Sequence, residues 1–214
     1  MYEKETELPG GISVEVGGAA GSTVVVSGSK GRTERTFKGL HGIKIEVAER
    51  EAGEDKAEGG KAGENKVKVV KVSADLDERK SRALVGAILA HIRNMAKGVT
   101  IGYVYKLRVI YSHFPITIKV EGDRIFVQNF LGEKTPRVAK ILGDTKVDVK
   151  GPDITLAGTN KEDIGQTAAN LETVTQIKKH SRKVFQDGIF IVEKDVEAGE
   201  PKDEKQAEKQ GEKR

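Results

Sequence analysis

The chain of 214 residues contains no cysteine. Disulfides, thiolate metal sites and cysteine nucleophiles are therefore excluded, and a reducing, intracellular setting fits. Tryptophan is absent too, and aromatic residues make up only 5% of the chain. Large rings cannot dominate such a core, so small layered units of Val, Ile, Leu and Ala are expected. No apolar run approaches the roughly 18 residues of a membrane span, so no transmembrane helix is expected. Residues Met1 to Pro9 are charged and lack an apolar h-region, so no signal peptide is read.

The usual catalytic patterns are also missing. The four histidines are His41, His91, His113 and His180, and none stands at metal-ligand spacing from another His, Asp or Glu. There is no G-x-S-x-G and no G-x-x-x-x-G-K-[ST]. The Gly-rich residues 17–22 join two strands rather than opening a helix, which reads as a turn. Glu162 and Asp163 are adjacent carboxylates, and they suit the first turn of a helix better than acid–base chemistry. Neither an enzyme, a cofactor, a metal site nor a small-molecule substrate is expected.

What the chain does have is charge, unevenly placed. Residues 49–66 hold six acids and four bases, and residues 195–214 hold seven acids and five bases. Each stretch is two charges negative against a total of +4, so the remainder carries a net +8. A basic body favours a polyanionic partner, because each Lys or Arg set on a phosphate releases condensed counterion. Residues 52–65 (AGEDKAEGGKAGEN) have no large apolar side chain and no period, and are expected to form a loop insertion. The charged residues 195–214 are expected to be a disordered tail.

An internal repeat organises the rest. Ile12-Ser13-Val14-Glu15-Val16 corresponds to Ile116-Thr117-Ile118-Lys119-Val120, both with the period-2 alternation of a half-buried strand. Thr23-Val24-Val25-Val26 corresponds to Arg124-Ile125-Phe126-Val127, and each is followed by a Gly-bearing basic stretch. Two further strands follow in each copy, residues 43–47 and 67–72 in the first, 145–149 and 153–156 in the second. Each copy closes in a helix. Leu84, Val85, Ile88, Leu89, Ile92 and Met95 form one apolar stripe, and Ile164, Ala168, Leu171, Val174 and Ile177 the other. Asn160 is the expected N-cap of the second helix, and Asp75 or Asp77 that of the first. The expected fold is α+β, with two tandem duplicated domains, each a small mostly antiparallel sheet packed on one helix. Residues 1–100 form the first domain, carrying the insertion 52–65. Residues 101–194 form the second, opening with the strand of residues 102–111.

Three basic clusters stand at turns and element ends. They are Lys30, Arg32, Arg35, Lys38, His41 and Lys44; then Lys134, Arg137, Lys140, Lys146 and Lys150; then Lys178, Lys179, His180, Arg182 and Lys183. With no catalytic apparatus beside them, they point to polyanion contact. Asn129, Gln166, Thr167 and Asn170 could add hydrogen bonds to riboses and phosphates. No helix-turn-helix, zinc finger or RNP-type aromatic pair suggests DNA or single-strand reading, and dispersed basic turns suit folded RNA.

The second half reads GVTIGYVYKLRVIYSHFPITIKVEGDRIFVQNFLGEKTPRVAKILGDTKVDVKGPDITLAGTNKEDIGQTAANLE and then RKVFQDGIFIVEK. It closely resembles the large-subunit ribosomal protein L-six family of archaeal and eukaryotic type (L-nine in the older eukaryotic naming). The first half matches more loosely, and the resemblance covers about residues 1–194. It implies two similar tandem domains. It also implies a structural, cytoplasmic ribosomal role, with neighbouring ribosomal proteins and large-subunit rRNA as partners near the sarcin–ricin loop and the factor-binding region. The second domain would be the main rRNA-binding unit. The positions the resemblance points to are Lys134, Arg137, Lys161, Gln166, Lys178, Lys179, Arg182 and Lys183. The insertion 52–65 and the tail depart from the family pattern. A protein–protein or assembly-factor module is the alternative reading. It requires an exposed apolar patch, whereas each strand is expected to turn its apolar face to its own helix.

Overall fold

Alternating strands, Gly-bearing turns and two amphipathic stretches lead to an ordered succession of hairpins and helices in the computed structural model of the chain. It describes residues 2–18, 22–38, 40, 42–51, 66–178, 181 and 184–196. The expected insertion 52–65 and residues 197–214 of the expected tail lie outside the described residues, whereas Asp195 and Val196, expected at the start of that tail, close the last strand.

The first seven elements are β1 (Tyr2–Glu7), β2 (Ser13–Gly17), β3 (Thr23–Gly28), β4 (Gly31–Thr36), β5 (Ile43–Glu51), β6 (Lys66–Ala74) and α1 (Arg79–Thr100). The same order then recurs as β7 (Tyr103–Ile110), β8 (Thr117–Glu121), β9 (Arg124–Gln128), β10 (Arg137–Lys140), β11 (Lys146–Lys150), β12 (Asp153–Gly158) and α2 (Lys161–Val174), followed by β13 (Gly188–Val196). The chain divides into two compact units. One runs to Gly102 and takes in Gly143–Thr145 and Gly158–Asp163; the other holds Tyr103–Leu142, Lys146–Ala157 and the chain from Ile164.

Each unit carries two small sheets. In the first these are β1-β6-β5 and β2-β3-β4; in the second they are β11-β12-β7-β13 and β10-β9-β8. Strands β7, β12 and β11 thus stand where β1, β6 and β5 stand, and β13 is added along the other edge of β7. The fold is α+β and internally duplicated, as the repeat predicts.

Three strands go beyond the sequence reading. β1 reads YEKETE, with Thr6 buried, and it pairs antiparallel along β6 from Tyr2↔Ala74 to Glu7↔Val69. β4 (GRTERT) and β10 (RVAK) occupy stretches read as basic connections. Their place is set by backbone pairing to β3 and β9, which needs no apolar alternation of their own.

Burial explains the two helices. Val85, Ile88, Leu89, Ile92, Met95, Ala96 and Val99 of α1 close over Val24 and Val26 of β3, Ile43 and Ile45 of β5, and Val70 and Val72 of β6. Leu84, expected in that stripe, is 38% exposed at its margin. In the second unit Ile164, Ala168 and Leu171 of α2 join Tyr105, Leu107, Val109, Ile125, Val127, Ala139, Ile154, Leu156 and Ile189. Val174 and Ile177 pack half-buried at its edge. Each fully buried Leu or Ile contributes about 1.5–3 kcal/mol.

The helix starts differ from one another. Asn160 caps α2 as expected, its Oδ1 accepting from the Glu162 backbone N–H at 3.1 Å. At α1 neither Asp75 nor Asp77 caps. Glu78 occupies the N-cap position without a side-chain bond, and Asp77 instead accepts from Arg82 at 2.5 and 2.7 Å. The bidentate guanidinium attracts that carboxylate more strongly than a helix N–H does.

One glycine is required by close approach. The end of β3 lies against the end of α1, where Lys30 N–H donates to Val99 O at 2.9 Å. A Cβ on Gly28 would fall 2.8 Å from Val99 Cγ2 and 2.9 Å from Val99 O. Both obstacles are stiff, one a β-branched side chain and one backbone. Gly28→Ala is expected to destabilise the chain by about 1–3 kcal/mol, read as a lowered urea midpoint. An unchanged midpoint would mean that the helix end yields.

Candidate nucleic-acid interface

A cation can meet a phosphate only where the fold leaves its charge unengaged, so each basic cluster divides by its partners. In the first unit, Lys30 Nζ donates to Ile101 O, and Arg35 pairs with Glu162 while lying 5.6 Å over the Phe37 ring. Arg32, Lys38 and Lys44 are exposed, and His41 lies outside the described residues.

In the second unit the second cluster splits clearly. Lys150 pairs with Asp148 at 2.9 Å. Lys134, Lys140 and Lys146 are exposed, and they carry no ion pair among the described residues. Arg137 is engaged on every side. Its Nε and Nη2 donate to the Glu133 carboxylate at 2.8 and 2.7 Å, and Nη1 donates to the backbone oxygens of Val174 at 2.7 Å and Gln176 at 3.2 Å. The guanidinium also lies 4.4 Å from the centroid of buried Phe130. Those two carbonyls stand at and just past the end of α2, where backbone oxygens lack helical partners and a cation is favoured. Arg137 therefore ties the turn of Phe130–Gly132 to the end of α2 and sets the direction of the chain toward Lys178.

The far end of β10 is tied to the same helix. Gln166 Nε2 donates to Asn170 Oδ1 at 3.0 Å, and Asn170 Nδ2 donates to Lys140 O at 3.0 Å. Two of the polar side chains expected to reach riboses are thus linked to each other. Thr167 is fully buried and its hydroxyl accepts from Leu142 N–H at 3.1 Å, so it faces the core, not a ribose. Asn129 donates to Pro115 O at 3.0 Å. Lys161 is half-buried as the first residue of α2. Lys178 is exposed; Lys179, His180, Arg182 and Lys183 lie outside the described residues. The structure thus places Arg137 on β10, Gln166 on α2 and Lys134 in the turn before β10.

Comparison with known proteins now decides the family. A family model described as Ribosomal protein L6 matches residues 114–188. The large ribosomal subunit protein uL6 of Ignicoccus hospitalis is 45% identical over 190 residues, covering 89% of this chain and 93% of that protein. That of Methanosarcina mazei is 44% identical over 188 residues, covering 88% and 94%. That of Sulfurisphaera tokodaii is 41% identical over 203 residues, covering 95% and 97%. The chain belongs to the ribosomal protein L6 family. Members of the L6 family are structural proteins, not enzymes. Among the described residues no three His, Asp or Glu side chains are grouped to hold a metal ion, and no helix is long and apolar enough to cross a membrane.

A buried polar latch holds the residues just before β13 in this L6-family chain. Asp187 is 2% exposed. It accepts from Ser112 N–H at 2.7 Å, from the Ser112 hydroxyl at 2.9 Å and from His113 Nδ1 at 3.1 Å. The imidazole stacks on Phe185, with centroids 4.4 Å apart. Burial alone would raise the Asp187 carboxyl, but the three donors outweigh it and hold the group below the ordinary carboxylate value.

The apolar surface departs from expectation. β7 and β13 keep one face for α2, but Ile110, Phe190 and Val192 are 45%, 41% and 60% exposed. Tyr111, which follows β7, is 50% exposed. The strands do not turn all their apolar residues to the helix, because alternation that buries Val109 and Ile189 sends Ile110 and Phe190 to the opposite face of the sheet.

Two measurements probe this architecture. Arg137→Lys keeps the charge but loses the planar fork, and is expected to lower stability by about 1–3 kcal/mol in urea unfolding. No loss would mean that the charge alone suffices at the end of α2. Asp187 has a depressed folded value, so its contribution is complete above the unfolded carboxyl value of about 3.9 and is lost as pH falls through the folded one. Thermal unfolding between about pH 2 and 7 should therefore show a shallower acid loss for Asp187→Asn than for the parent chain. Parallel curves would remove the latch from the acid response.

Proposed function

We propose that the chain is a structural component of the large ribosomal subunit in the cytoplasm. Its second domain, residues 101–194, is the main rRNA-binding unit, docked near the sarcin–ricin loop and the factor-binding region. The observation that carries this is the 41–45% identity, over most of the chain, to proteins named for the large subunit. The unengaged lysines around β10 and the end of α2 support it.

The mechanism is electrostatic docking onto a rigid frame. Lys134, Lys161, Lys178, Lys179, Arg182 and Lys183 neutralise phosphates where rRNA helices approach, and Gln166 adds a polar contact. Arg137 acts through position. With four of its five N–H groups donated within the domain, it aims the turn that bears Lys134 and the chain that leads to Lys178. The exposed apolar group of Ile110, Tyr111, Phe190 and Val192 suits a neighbouring ribosomal protein, since contiguous apolar surface marks protein contact more than phosphate contact.

The test is a salt-graded sucrose gradient of lysate from cells that make the chain. It should sediment with the large subunit at low and at moderate salt. The variant with Lys178, Lys179, Arg182 and Lys183 all changed to Ala should leave the subunit at lower salt. Its binding to deproteinised large-subunit rRNA should lose roughly one unit of log–log salt slope per lost phosphate contact. Sedimentation of the parent chain as free protein at both salts would refute the ribosomal reading. An unchanged slope would clear the third cluster of a role.

A further inference from the structure

The sheet β10-β9-β8 has one face sealed in the core and one turned outward, and the outward face has a composition unlike an idle surface. Ile125 and Val127 of β9 are fully buried. Phe126 between them is half-buried yet lies outside the core cluster, as strand alternation requires. The register places Lys119 of β8 on one side of Phe126 and Val138 of β10 on the other. One step along, Arg124 of β9 stands between Glu121 and Lys140, and one step the other way Gln128 stands beside Thr117. Lys119, Arg124 and Lys140 are exposed and carry no ion pair among the described residues. The result is a phenyl ring on an open sheet, bounded by three unengaged cations.

The first unit provides an internal control. At the matching positions of β2-β3-β4 the central row is Glu15, Val25 and Glu34, the row matching Arg124 is Gly17, Thr23 and Thr36, and the row matching Gln128 holds Ser13, Ser27 and Arg32. That face has no ring, and two glutamates against one arginine. The fold is the same and the inward residues of the central strands, Val24 and Val26 in β3 and Ile125 and Val127 in β9, are apolar in both, so packing does not dictate the ring or the cations.

We propose that this face is a stacking platform for an unpaired rRNA nucleotide. The base lies on Phe126, and Lys119, Arg124 and Lys140 hold the flanking phosphates. A flat sheet cannot enter the deep, narrow major groove of an RNA duplex, but it can meet a splayed base, and any base offers a π-face to a ring. The net basic border favours RNA over a protein partner. The proposal rests on the rRNA-binding reading and adds a contact that the basic turns do not supply.

The chain has no tryptophan, so Phe126→Trp makes the platform its only indole. In the full chain, its fluorescence should be quenched on addition of a single-stranded adenylate decamer, and its affinity for deproteinised large-subunit rRNA should match the parent. Phe126→Leu keeps an apolar side chain without the ring. With an unchanged urea midpoint, it should bind that rRNA about five- to a hundredfold more weakly, the range of one lost stack, at the same salt slope. Changing Lys119, Arg124 and Lys140 to Ala together should flatten the slope instead. Full affinity in Phe126→Leu with an unquenched tryptophan overturns the platform and leaves the ribosomal reading standing. Full affinity for naked rRNA, but release of Phe126→Leu from large subunits at lower salt, assigns the face to a protein and also overturns it. Failure of the parent chain to bind the rRNA at all defeats both readings.

Discussion

The structure depends on one constraint: in each unit a single helix must seal two small sheets at once. Neither sheet is large enough to bury its own apolar face, and an isolated strand pair is marginal in water. The stripes on α1 and α2 resolve this by meeting both sheets of their unit in one continuous core. The cost is that each sheet has a second face with no helix to cover it. Alternation then sends every other side chain of β7, β9, β11 and their partners outward. Outward charges pair with one another in the four-stranded sheet, as Lys106 with Glu193 and Arg108 with Asp153. On β10-β9-β8, Lys119, Arg124 and Lys140 carry no ion pair among the described residues.

Helix ends matter as much as helix faces. The last carbonyls of α2 have no partners within the helix. The Thr175 hydroxyl donates to Leu171 O at 3.1 Å, and Arg137 covers Val174 and Gln176. The same hydroxyl accepts from Ile189 N–H at 3.0 Å, so the end of α2 is joined to β13 as well as to β10. Asp187 then anchors the stretch before β13 to the residues just after β7.

Much of this was legible from the chain. Strands such as residues 12–16 and 116–120 announce themselves by alternation, and Asn160 announces a cap. β1 and β4 do not, because YEKETE and GRTERT hold almost no apolar residue and owe their place to backbone bonds with an inner neighbour. Counting charge also misled in one respect. Arg137 and Lys134 are equivalent in composition, but strand register and a nearby helix end decide that one is engaged and the other is not. Phe126 was read as one more strand residue, since one aromatic in an alternating run is ordinarily core. Only the register, which places Ile125 and Val127 inward, sets it on the open face.

The duplication separates what folding requires from what function adds. Val24 and Val26 in one copy and Ile125 and Val127 in the other satisfy the same demand for buried branched side chains. Outward positions carry no such demand, and there the copies diverge in charge, Glu15 standing where the second copy has Lys119 and Glu34 where it has Val138. Divergence in a surface row is unremarkable when it exchanges one solvated residue for another. It carries more meaning when it sets a half-buried phenyl ring on the open face of a sheet with three cations beside it. Those three cations define what can cover the ring, because an apolar or basic partner would leave them uncompensated and a nucleotide supplies both the planar surface and the negative charge.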